Sequence, residues 1–157
     1  MEGRRSLAFA GLHEVMPEVD RLLQGHRTLG KWSLGQICNH LAGSIVFAVD
    51  DHHVRAPWIV RKTIGPLMVR RVLKTGRMPS GMPLPKEFAP KPGLDARAEA
   101  EALRASIGYF AGHAGPLSDH PLAGPLPRAS WERFLAVHAA HHLGFVVPDE
   151  GPRGPAA

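Results

Sequence analysis

Two stretches dense in proline and glycine decide how long any element of this chain can be. Residues 76–94 hold five prolines and three glycines, and a second such connection covers about 112–128. Proline removes a backbone donor and glycine loosens the chain, so neither stretch continues a helix or a central strand. Elsewhere apolar residues recur at three- and four-residue intervals, and no run alternates with period two. The reading that follows is all-α: five helices with long connections, packed as a bundle.

Each predicted helix has its own signals. Leu12, Val15, Val19, Leu22 and Leu23 predict a first helix over about 11–24, in which Pro17 fits only in or near the first turn. Ser33 followed by Gln36 is a capping-box pattern, and Leu34, Ile37, Leu41, Ile45, Ala48 and Val49 carry a second helix to about Asp50. Pro57 opens a third, to about Leu73, with Val60, Ile64, Leu67 and Met68 as its apolar stripe. Asp95 is the N-cap of a fourth, running through Ala98, Ala102, Leu103, Ile107 and Phe110. Ser130 is the predicted N-cap of the last, whose inward face is Trp131, Phe134, Leu135, His138, His142 and Phe145. The tail from Pro148 onward is predicted to fray.

A length of 157 residues suits one domain, and a hydrophobic content of 44% supplies its core. The longest apolar run, Ile45 to Val49, is far below membrane-spanning length, and no signal peptide is read at the N-terminus. Cys38 is the single cysteine, which excludes an intrachain disulfide framework and fits a reducing cytoplasm. The net charge of +5 is uneven. No acidic residue lies between Asp51 and Glu87, where Arg55, Arg61, Lys62, Arg70, Arg71, Lys74 and Arg77 fall. On an ideal helix these do not share a face, and no aromatic ladder accompanies them. A solvated surface is expected, with neither nucleic acid nor membrane as partner.

Chemistry concentrates in the ten histidines. His13, His26, His52, His53 and His113 sit at helix edges or in loops. His138 and His142 are four apart and share one helical face. His40 stands on the apolar side of the second helix. A histidine in such a place is hydrogen-bonded, metal-bound or held neutral by burial. Three imidazoles with open positions are the ligand set of a catalytic metal rather than a structural one. Zinc, nickel, copper and ferrous iron all accept it. The competing reading is a set of satisfied core histidines in a non-catalytic helical module. His141 is assigned to the rim. His120, before Pro121, reads as a turn residue, with a ligand or substrate contact as its alternatives. Gln36 and Ser44 share the His40 side of their helix and are pocket-lining candidates. Arg71 lies on the apolar stripe of the third helix, where it either snorkels to solvent or offers a guanidinium to an anionic substrate. Cys38 is read as a small buried hydrophobe.

The segment Gly30-Lys-Trp32-Ser33-Leu-Gly-Gln36-Ile-Cys-Asn-His40-Leu41, with His120-Pro121 and Trp131…His138-Ala-Ala-His141-His142-Leu143 later, resembles the DinB-like superfamily. More narrowly it is similar to a bacterial branch of unknown function. The resemblance covers residues 4–148 as a single domain and leaves 149–157 as a flexible tail. It implies a four-helix bundle, here with an additional short helix or long loops. It also implies a divalent metal, zinc or nickel foremost, held at the positions of His40, His138 and His142. Relatives of this kind act on small electrophilic substrates, some with a low-molecular-weight thiol in transfer and others in hydrolysis, and many are homodimers. Leu143-Gly144-Phe145 follows the last histidine here, where many relatives carry glutamine or arginine.

Overall fold

The structure is a computed structural model and describes residues 3–50, 53–79 and 89–149. Helix α2 (Leu34–Val49) begins at the reciprocal cap that the sequence announces. The Gln36 amide donates to Ser33 Oγ at 3.2 Å, and the Ser33 amide donates to Gln36 Oε1 at 3.0 Å. Two amides without helical partners are thereby satisfied. Eleven of the sixteen residues of α2 are buried, so this helix has to be enclosed. Helices α5 (Ala96–Gly112) and α6 (Arg128–Leu143) pack on it, and α1 (Val15–Leu22) packs against both of them. Pro17, the third residue of α1, lies in the first turn, where its missing N–H costs nothing.

Asp95 caps α5 as expected, its Oδ1 accepting from the Ala98 amide at 2.8 Å. The inward face of α5 is Ala100, Leu103, Ser106 and Phe110, whereas Ala98 and Ala102 face solvent. Helix α6 starts earlier than predicted. Pro127, with φ −57° and an extended ψ of 149°, supplies the first accepting carbonyl, to the Trp131 amide at 3.0 Å. Ser130 therefore lies inside the first turn and caps nothing.

The predicted third helix is two, α3 (Trp58–Lys62) and α4 (Ile64–Thr75), broken at Thr63. Its inward face is also different. Gly65, Val69 and Val72 are buried, and Ile64 and Leu67 point outward. The cause is a close approach: a Cβ on Gly65 would sit 2.1 Å from the Leu122 carbonyl oxygen. Only glycine allows that contact, and it turns the flanking isoleucine and leucine away from the core.

A second departure is a strand pair. β1 (His26–Thr28) and β2 (Val146–Pro148) are antiparallel, with His26 opposite Pro148. Three residues per strand are too few for alternation to register in a sequence. Pro148 is thus paired, and the Asp149 amide donates to the Gly25 carbonyl at 2.9 Å, where fraying was expected. Arg5 secures the same end of α6. It donates to the carbonyls of Val146 at 2.7 Å and Leu143 at 3.3 Å, and pairs with Glu18 of α1.

Gly35 sets the distance between the start of α2 and the start of α5. A Cβ there would meet the Leu94 carbonyl oxygen at 2.6 Å, whereas one on Gly43 meets nothing within 4 Å. Gly35→Ala is expected to destabilise by about 1–2 kcal/mol, overpacking outweighing the gain in helix propensity. Gly43→Ala should instead raise stability by up to about 1 kcal/mol. Urea denaturation of the two variants checks the contrast; equal effects would mean that the Leu94 backbone yields.

Candidate metal centre

The enclosure of α2 carries His40 into the interior, where its side faces α6. On α6, His138 and His142 lie one turn apart and point back at it. His40 Nε2 and His138 Nε2 are 3.0 Å apart. One ligand nitrogen from each of the three rings lies within 4.8 Å of the others. The ring centroids form a nearly equilateral triangle of 4.9, 4.7 and 4.7 Å. The planes meet at 84°, 67° and 74°, like blades around one axis. A tetrahedral ion holds its nitrogens about 3.3 Å apart. The closest pair, at 3.0 Å, is near that spacing, and the third nitrogen lies within 4.8 Å of both. These three side chains can hold a metal ion.

Protonation agrees with that capacity. Burial drives His138 well below the usual imidazole range, helped by His142 and His40 beside it. Burial lowers His142 to about 3, with His40, His141 and Arg4 adding to the effect. Both rings are neutral at pH 7, so each keeps a lone pair. At 3.0 Å the His40–His138 pair is a hydrogen bond when one Nε2 bears a proton. When neither does, two lone pairs face the same point.

His141 is turned elsewhere. Its Nδ1 accepts from Arg4 Nη2 at 3.1 Å, which separates it from His142 despite their adjacency. Burial first, and the Arg4 charge second, lower it to about 4.

The other candidates divide. Ser44 lies one turn beyond His40 and donates to the His40 carbonyl at 2.8 Å, which leaves its hydroxyl oxygen free to accept. Gln36 is committed at both ends. Its Oε1 serves the α2 cap and its Nε2 donates to the Lys91 carbonyl at 3.2 Å, so both ends of the amide are used in structure. Arg71 is exposed on α4 and lines a separate cavity of about 570 Å³ with Met68, Val72, Thr75, Arg77, Met78 and Pro79. His120 closes a turn: its backbone pairs with Gly124, and its Nδ1 accepts from the Leu122 amide at 3.1 Å. Its ring is buried against Trp131 and Phe134, with centroids 5.0 and 4.6 Å away. Cys38 is buried, and desolvation, with Glu99 second, pushes its thiol up to about 12. At pH 7 it is a neutral thiol among apolar neighbours.

Two residues at the site escaped the sequence reading. Trp32 stacks on His142 at 5.4 Å and 11°, and tilts against His40 at 5.1 Å. It forms the outer wall of the triad. Its position just before the Ser33 cap, where an apolar residue closes back on its helix, was the available signal. Arg4 holds His141 and lies 4.5 Å over the Phe145 ring. No local pattern could place it there.

His120, a neighbour of the triad that is not one of its three rings, gives a pH prediction. It titrates near 4 in the fold, lowered by burial, and near 6.5 unfolded. The unfolded chain therefore binds more protons between those values, so stability is complete above about pH 6.5 and falls as pH drops towards 4. His120→Asn should flatten that slope by about 1.4 kcal/mol per pH unit, one proton's share. Urea denaturation of chelator-treated protein across this range reads it, and an unchanged slope would place the titration elsewhere.

No curated protein and no solved structure matches the chain. The profile of a family described as "Protein of unknown function (DUF1569)" matches residues 1–149. That is nearly the whole length, including every histidine of the triad, and the chain belongs to the DUF1569 family.

Proposed function

We propose that this chain is a DinB-like four-helix-bundle protein that binds one divalent metal, zinc or nickel, through His40, His138 and His142. We assign it an enzymatic role on a small electrophilic substrate, as a thiol-dependent transferase or a hydrolase. The convergence of three imidazoles from two helices, with His138 and His142 held neutral by burial, carries the reading. The ring of contacts in which α1 and α2 each touch both α5 and α6 supports the bundle.

A bound divalent ion would supply Lewis acidity and lower the pKa of a coordinated water or thiol. The chain's own residues do the rest. Burial keeps the imidazoles neutral and their lone pairs available. Three protein ligands leave coordination positions for a small molecule. Trp32 fixes the His142 ring plane and keeps water off that flank. Arg4, hydrogen-bonded to His141, places a cation at the rim. The 3.0 Å His40–His138 contact favours a second reading, in which the rings satisfy each other as core histidines without metal.

Elemental analysis of protein purified without a histidine tag decides between them. Stoichiometric metal is expected in the wild type and in His141→Ala, and its loss in His40→Ala, His138→Ala and His142→Ala. Chelation should lower the melting temperature by roughly 5–10 °C, the effect of removing about 2.7 kcal/mol of binding linkage. Full metal in the triad variants would sink the ligand assignment. Metal-free protein after purification from zinc- or nickel-supplemented cells would favour the core-histidine reading. Consumption of small thiols with electrophiles, present in metal-loaded protein and absent after chelation, tests the enzyme.

A further inference from the structure

Helices α3 and α4 carry an unusual surface. Among the described residues five large hydrophobics are exposed, and four fall within ten residues: Trp58 at 75%, Ile59 at 56%, Ile64 at 63% and Leu67 at 64%. Because Gly65, Val69 and Val72 take the inward side of α4, the opposite stripe is fixed by helical geometry. Ile64, Leu67, Arg71 and Lys74, at i, i+3, i+7 and i+10, occupy it, with Arg70 at its edge. The apolar half of this face runs straight into its cationic half. Arg61 is paired with Asp119. Arg70, Arg71 and Lys74 have no carboxylate within ion-pair distance among the described residues. Of the seven cationic residues that the sequence spreads around this region, Arg70, Arg71 and Lys74 lie on the outward side of α4.

We propose that this face docks on an anionic membrane surface. Trp58, Ile59, Ile64 and Leu67 enter the boundary between headgroups and acyl chains, and Arg70, Arg71 and Lys74 lie against anionic headgroups. Tryptophan with aliphatic side chains beside lysine and arginine is the composition of a helix lying in the interface plane. No helix among the described residues is long and apolar enough to cross a membrane, so the contact is peripheral. A second copy fits the face less well. A two-fold contact over the whole face would bury Arg71 and Lys74 of each protomer against a stripe that carries no carboxylate. The proposal needs no metal and stands apart from the triad.

Cosedimentation with lipid vesicles tests it on the full chain. Binding is expected to vesicles of phosphatidylcholine with phosphatidylglycerol, falling steeply with salt, and not to phosphatidylcholine alone. Trp58→Ala with Leu67→Ser, both at exposed positions, should abolish binding while circular dichroism and melting temperature stay unchanged. Replacing Arg70, Arg71 and Lys74 by glutamine should weaken it on the order of 100-fold, about fivefold per charge. Equal binding to neutral and anionic vesicles, or none to either, overturns the proposal. So does a dimer in solution that Leu67→Ser splits, which would give the face to a second copy.

Discussion

The enclosure of α2 is the constraint on which everything else rests. A helix that is apolar around most of its surface has little solvent side to offer and is stable only when neighbours cover it. Helices α5 and α6 pack on it here, and α1 packs on those two in turn. His40 is in the interior because it belongs to such a helix. His138 and His142 face it because α6 is one of the helices that cover it. The site is thus a by-product of core formation. Its geometry is as firm as the packing of Leu34, Ile37, Leu41 and Ile45.

Placing His138 and His142 against that core has an electrostatic cost that fixes their state. Desolvation penalises the imidazolium, and each ring near another deepens the penalty. Both rings are neutral over the physiological range and keep their nitrogen lone pairs. Trp32 adds an apolar face against His142, and Arg4 adds a permanent charge a few ångströms further out. A gradient results, from neutral rings beside the core to a cationic rim along the last turn of α6.

How much of this was legible in the sequence depends on the range of each interaction. The Ser33–Gln36 cap, the Asp95 cap and the His138–His142 pair span three or four residues, and local spacing revealed them. Pairing them with His40 required the family resemblance or the fold. The face of α4 was misread because hydrophobicity pointed to Ile64 and Leu67, whereas the decisive contact belonged to Gly65, which has no side chain to count. The strand pair joins residues more than a hundred positions apart, and Arg4 reaches His141 across 137. The bond from the Gln36 amide to Lys91 spans 55 positions, and only the half of its bonding that lies in the cap could be read locally.

The strand pair and Arg5 bear on how the three histidines are tethered. His40 sits midway along a helix most of whose residues are buried, whereas His142 lies in the final turn of α6. That turn is closed by Arg5, which donates to the carbonyls of Leu143 and Val146, and by the pairing of β2 with β1. Leu143 and Val146 are themselves buried, so the last turn belongs to the core and is no fraying end. The spacing of the triad therefore depends on residues such as Arg5 and His26 that touch none of its rings.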